Sequence, residues 1–180
     1  MDKFKNYSIA FPGLKLGKHE FKFEVNQEFI NLFDFEQEFF NPNINVDVLL
    51  DKHSTFLEFW ITISGTIQLI CDISSEEFPH PIEHQMKILV KFGEEYDDSN
   101  EEVITIPQHN SDFNISQLIY EGIVLSVPMK KVSPSLEEND EYQQLLEKYS
   151  PKDVELNEET EDEEIVDPRW EALKKLKNNN

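Results

Sequence analysis

The sequence predicts an α+β fold: an antiparallel β-sheet of about five or six strands, a few short helices, an acidic linker and a C-terminal helix. Three observations carry that expectation. Residues 55–72 alternate apolar and polar side chains over nearly their whole length. The segments on either side alternate in the same way and are joined to it by short polar links. Helical periodicity is confined to brief stretches.

In chain order, HEFKFEV places Phe21, Phe23 and Val25 on one side of a strand. Asn26 then stands where an N-cap belongs, ahead of a stretch with Phe29, Ile30 and Phe33 on one stripe. In NINVDVLLDK the residues Ile44, Val46, Val48 and Leu50 alternate, and residues 51–54 form a polar turn. The clearest strand follows. Leu57, Phe59, Ile61, Ile63, Ile67, Leu69 and Cys71 occupy odd positions, with Gly65 the one gap. Period two over this length requires one buried face, and Gly65 predicts a bend or bulge, so the run is one long kinked strand or two collinear ones. Ile82, Met86, Ile88, Val90 and Phe92 share the face of a further strand, and EEVITI at 101–106 supplies another. Successive strands with short links predict an antiparallel meander.

Around Asp112, the residues Phe113, Ile115, Leu118, Ile119, Ile123 and Leu125 predict a helix that stops near Pro128. The globular domain is therefore expected over residues 1–134. Residues 135–167 read as an acidic, largely mobile linker, since few apolar side chains are available there to offset the entropy of ordering. Asp167 and Pro168 suit the N-cap and first position of a closing helix over 168–180. That helix gathers Trp170, Leu173 and Leu176 on one side. Its Lys174, Lys175 and Lys177 lie near its C-terminus, where the helix dipole favours cations. So short a helix is marginal alone and is expected to dock.

The net charge is −21 over 180 residues, unevenly spread. Residues 137–167 hold fourteen Asp and Glu against two Lys. Such an acidic run reads either as a solvated tail or as an arm for basic protein surfaces. A hydrophobic content of 38% suffices for a core. The opening MDKFKNYSIAFPGLKL lacks the apolar run of a secretory signal, and no window has the ~18–20 apolar residues of a membrane span. The single cysteine, Cys71, cannot form an internal disulfide. A cytoplasmic location is expected, with no membrane partner.

Catalytic and metal signatures are weak. His80 and His84 are four apart, which is ligand spacing on a helix, but they enter a strand flanked by Pro79 and Pro81 and lack a third ligand. No nucleophile elbow, phosphate loop or dinucleotide fingerprint is present. Cys71 lies on the apolar face of the long strand and reads as a small hydrophobe. No catalytic residue, metal or cofactor is assigned. Phosphate contacts dominate non-specific nucleic-acid affinity, so RNA contact by so acidic a chain is confined to local basic patches. Those are Lys3, Lys5, Lys15, Lys18 and Lys22 at the start and Arg169 with the terminal lysines. Phe4, Phe21, Phe23 and Trp170 beside them could stack on bases, although the three Phe read first as core.

Three segments in order carry a resemblance. They are ISGTIQLICDISSEEF at 63–78, LIYEGIVLSVPM at 118–129 and DPRWEALKKL at 167–176. Together they resemble the YceD-like family of bacterial large ribosomal RNA subunit accumulation proteins. Glu121 and Pro128 match its middle motif, and Asp167, Pro168, Arg169 and Trp170 its closing one. Cys71 matches the family's first cysteine, but Ile73 and Ser74 stand where an arginine and a second cysteine usually lie. No paired-cysteine role carries over. The resemblance implies a non-enzymatic ribosome-biogenesis factor supporting accumulation or processing of 23S rRNA. The implied partner is a large-subunit ribosomal protein or pre-ribosomal particle, with rRNA reached through the basic patches. Two other readings stand beside it: a metal-dependent hydrolase or nuclease using His80 and His84 with carboxylates, and an acidic interaction scaffold unrelated to ribosomes.

Overall fold

The computed structural model describes residues 4–100 and 102–137. The acidic linker and closing helix expected beyond them, with Asp167, Pro168, Arg169, Trp170, Lys174, Lys175 and Lys177, lie outside the described residues.

The fold is α+β. Six strands form the main sheet, in the order β2 (Gly17–Val25), β3 (Phe40–Lys52), β4 (Phe56–Ile70), β5 (Glu77–Gly93), β7 (Val103–Pro107) and β6 (Asp97–Asn100). β1 (Ser8–Ala10) and β8 (Asp112–Asn114) pair as a separate two-stranded ribbon. The α-helices among the described residues are α1 (Gln27–Ile30), α2 (Ser116–Leu125) and α3 (Pro134–Glu137), and Lys5–Tyr7 forms a 3₁₀ turn.

β2 to β5 form the expected antiparallel meander. The odd positions of β4 are buried on both sides of Gly65, from Leu57 to Leu69. Ile44, Val46, Val48 and Leu50 of β3 face the same core. The sheet is mixed, however, rather than purely antiparallel, because β5 and β7 run parallel. Hydrophobicity explains the arrangement. β6 reads Asp-Asp-Ser-Asn and is exposed throughout, whereas β7 buries Ile104 and Ile106. The apolar strand takes the inner place beside β5 and the acidic one takes the edge.

Of the alternatives at Gly65, the single long strand is the one formed, without a bulge in its pairing to β5. β4 is continuous, and its register with β5 is unbroken from Phe56 to Ile70. The bulge lies instead on β3, between Phe40 and Asn43, where Asn41 adopts a positive φ of 46°. An asparagine tolerates that conformation better than most residues.

The segment at 112–114 is strand rather than helix, so α2 begins only at Ser116. Asn114 ends the strand and supports the helix start. Its Oδ1 accepts from the Ser116 N–H at 2.9 Å, while its Nδ2 donates to Phe4 O and Ser8 Oγ, each at 2.9 Å. Asn26 caps α1 as expected, accepting from the N–H groups of Glu28 and Phe29. α2 packs on β4 and β5 and buries Ile119 and Ile123.

Candidate functional site: an acidic groove beside a free strand edge

β5 is longer than its parallel neighbour. It pairs with β4 from Lys91 back to Glu77, but with β7 only from Leu89 to Gly93. Residues 77–88 thus present an edge to which no described strand pairs. The Leu89 N–H donates to Glu102 O at 2.8 Å, so odd residues of β5 turn their backbone groups toward this edge. Pro79 and Pro81 share that parity and carry no N–H. Glu83, Gln85 and Lys87 follow them and retain theirs. The edge is blunted at one end and open for pairing at the other.

Alongside the open part, from His84 to Leu89, lies a groove of about 920 Å³. α2 contributes Gln117, Leu118, Glu121 and Leu125 to it, and the β6 side contributes Tyr96, Asp98 and Asn100. Met86 and His84, both half-buried, lie between them. Leu125 is 74% exposed, leaving an apolar contact within reach of the carboxylates. Gly122 lets α2 approach closely: a Cβ there would stand 2.6 Å from Ile63 Cδ1 and 2.7 Å from Met86 Cε.

Carboxylates dominate the electrostatics, although Lys87 and His84 also line the groove. Asp98, Glu102 and Glu121 line the groove, and Glu94, Glu95 and Asp97 are exposed on the adjoining turn and strand. The Tyr96 hydroxyl is pushed above its ordinary pKa, first by burial and then by the charges of Asp98 and Glu121. It donates to Asp98 Oδ2 at 3.4 Å. The ammonium of Lys87 is drawn to the opposite face of the sheet. Its Nζ lies 2.5 Å from Glu58 Oε1 and over the Trp60 ring. The site can therefore hold a cation-bearing, partly apolar segment, and it repels phosphate.

The sequence-predicted residues divide. Glu121 stands in the groove, exposed, accepting from Gln117 Nε2 at 2.8 Å. Pro128 is half-buried past the end of α2 and does not line the groove. Sequence reasoning missed Tyr96, Asp98 and Leu125. The one available signal was an aromatic residue inside the run EEYDDSNEE.

The other candidates gain no chemistry. His80 and His84 are half-buried on the core side of β5. Among the described residues, no three of His, Cys, Asp and Glu converge to hold a metal ion. Phe4 packs on Phe33 and Phe23 on Tyr7, while Phe21 is half-buried against the core, so these rings are engaged internally. No described helix is long and apolar enough to cross a membrane.

Cys71 is buried at 1% exposure and is held below its ordinary pKa, at about 7. The hydroxyl and N–H of Ser74 are the main cause, and the N–H groups of Ser133 and Ile73 add to it against the opposing effect of burial. The Ser133 N–H lies 3.4 Å from Sγ. The same turn is tied to the chain after α2, since Asp72 N–H donates to Lys131 O and Lys131 N–H to Asp72 Oδ2, both at 2.8 Å.

The chain is 27% identical over 164 residues to the uncharacterized protein YlbN of Bacillus subtilis (strain 168), covering 90% of this chain and 91% of that protein. No solved structure matches. The family described as "Large ribosomal RNA subunit accumulation protein YceD" matches residues 59–177, a span that contains most of β4, the groove's Glu121 and the closing Asp-Pro-Arg-Trp. With more than half of its length matched, the chain belongs to the YceD family of large ribosomal RNA subunit accumulation proteins.

Proposed function

We propose that this protein is a non-enzymatic, cytoplasmic ribosome-biogenesis factor. It supports accumulation of 23S rRNA by holding a basic, extended segment of a large-subunit ribosomal protein or pre-ribosomal particle. The observation that carries this reading is the acidic groove beside the open end of the β5 edge. An extended segment can pair with the backbone of Gln85 and Lys87, as strand addition requires. Its lysines or arginines meet Asp98, Glu102 and Glu121, and an apolar residue meets Leu125. The long acidic run after residue 137 favours the same kind of partner by steering encounter, which speeds association more than it tightens binding. In this reading the terminal segment with Arg169 and Trp170 adds a second contact to the particle, and its lysines are the place for any direct touch on rRNA.

Binding of the purified full chain to large-subunit ribosomal proteins and to naked 23S rRNA, each across a salt series, tests the proposal. Salt-sensitive binding to a basic protein is expected. The triple variant D98N/E102Q/E121Q should slow its association by about tenfold at low salt. Tight binding to naked rRNA with no protein partner, or protein binding indifferent to the triple variant, would overturn the reading.

A further inference from the structure

The two ends of the main sheet are built differently. At one end β6 is four residues long, wholly exposed and acidic, and its register with β7 slips between Asp97 and Asn100. Those are the features that discourage pairing with another strand. At the other end β2 runs for nine residues in unbroken register with β3. No other described strand pairs with it, and no described backbone hydrogen bond joins residues 17–25 to anything beyond β3. Its outer edge is regular and unpartnered.

The charges on that strand have an order. Lys18, Glu20, Lys22 and Glu24 are all exposed on one face, alternating in sign, and half-buried His19, Phe21 and Phe23 occupy the other. When a strand pairs antiparallel with a copy of itself, opposed residues must share a face and a hydrogen-bonding parity. Only registers centred on a residue satisfy both conditions. With Phe21 at the centre, Lys18 opposes the partner's Glu24 and Glu20 opposes the partner's Lys22. Every exposed charge then meets its opposite, and all nine residues pair. A slip of two residues one way sets Lys18 against the partner's Lys22 and Glu20 against the partner's Glu20. A slip the other way sets Glu20 against the partner's Glu24 and Lys22 against the partner's Lys22. Like charges directly opposed are destabilising, so the pattern rejects the two adjacent registers, and registers slipped further leave part of the nine-residue strand unpaired. On the core side that register stacks Phe21 on the partner's Phe21, the kind of aromatic cross-strand pair that adds to sheet stability. Lys22, already 3.0 Å from Asp47 of β3, is then flanked by a carboxylate on each side.

We propose that two copies of this chain join through β2, antiparallel about a two-fold axis at Phe21, so that their main sheets become one continuous sheet. Sedimentation equilibrium of the full chain across a wide concentration range should show a reversible dimer. E20K and K22E should each weaken it by about tenfold, since either change puts two like-charged pairs at the axis. Mixed together, E20K and K22E should recover a dimer with each other, because the opposed signs are restored in the mixture alone. A Phe21→Cys variant carrying Cys71→Ser should form an interchain disulfide on mild oxidation, as its Cα atoms oppose each other at about 5 Å. His19→Cys in the same background, displaced from its own copy, should stay reduced. A monomer at every concentration, or a dimer unaffected by E20K and K22E, overturns the proposal.

Discussion

Gly65 of β4 lies directly opposite Ile44 of β3, so close that a Cβ on residue 65 would stand 2.7 Å from the Ile44 Cα and also press on the Asn43 carbonyl oxygen. Both obstacles are backbone, which no rotamer change can move aside. The bulge at Asn41 lies just beyond this contact and turns the start of β3. Gly65→Ala should therefore destabilise the fold by about 1–3 kcal/mol, the range for overpacking a tight site. Urea unfolding followed by circular dichroism reads it directly. A midpoint unchanged from wild type would mean that the strands can separate at no cost.

The contrast between what alternation reveals and what it hides is clear at this site. The run from Leu57 to Leu69 reports its buried face because side chains on a strand must alternate. It therefore located β4 and its neighbours. The missing Gly65 side chain signals an irregularity, yet it does not say which strand carries it. Nor does alternation carry direction: Ile104 and Ile106 would look the same beside β5 in either sense. The groove was less legible still. Glu121 stood out through a motif, whereas Tyr96, Asp98 and Leu125 come together only because α2 packs on β5, so that it and the β6 side line one groove. That juxtaposition depends on tertiary packing, which leaves no period in a single sequence.

Cys71 should make stability depend on pH. Its thiol is lowered from an ordinary 9.0 to about 7 in the fold, chiefly by the Ser74 hydroxyl and N–H. Between those values the folded chain binds fewer protons than the unfolded chain, so stability rises with pH across that window. The contribution is fully present above the unfolded value and is lost as pH falls through about 7. Cys71→Ala removes it. Urea midpoints of wild type and C71A should diverge from pH 6 to pH 9. A difference that stays constant over that range would show that the sulphur remains a thiol. The substitution speaks to the family pattern as well, because Ser74 stands where the YceD-like motif usually carries its second cysteine. Here that position supplies a hydrogen bond to sulphur.

Tyr96 offers a reporter inside the groove. Burial raises its pKa first, Asp98 adds charge and a hydrogen bond, and Glu121 adds charge from the α2 side. With Tyr96 labelled at its ring carbons, an NMR titration should show a pKa above 10. Asp98→Asn should lower it, and Glu121→Gln should lower it by less, because Glu121 acts through charge alone and is the smallest contributor. Asp112→Asn, at a residue outside the groove lining, should leave it in place. The same resonance then tests occupancy. A lysine-rich extended peptide placed among Asp98, Glu102 and Glu121 brings positive charge to the phenol. Positive charge favours the phenolate, so binding should lower the Tyr96 pKa while burial of the ring pushes the other way. If Glu121→Gln leaves the free-state value untouched, the two walls do not face each other as described, and the groove loses its claim to hold a basic segment between them.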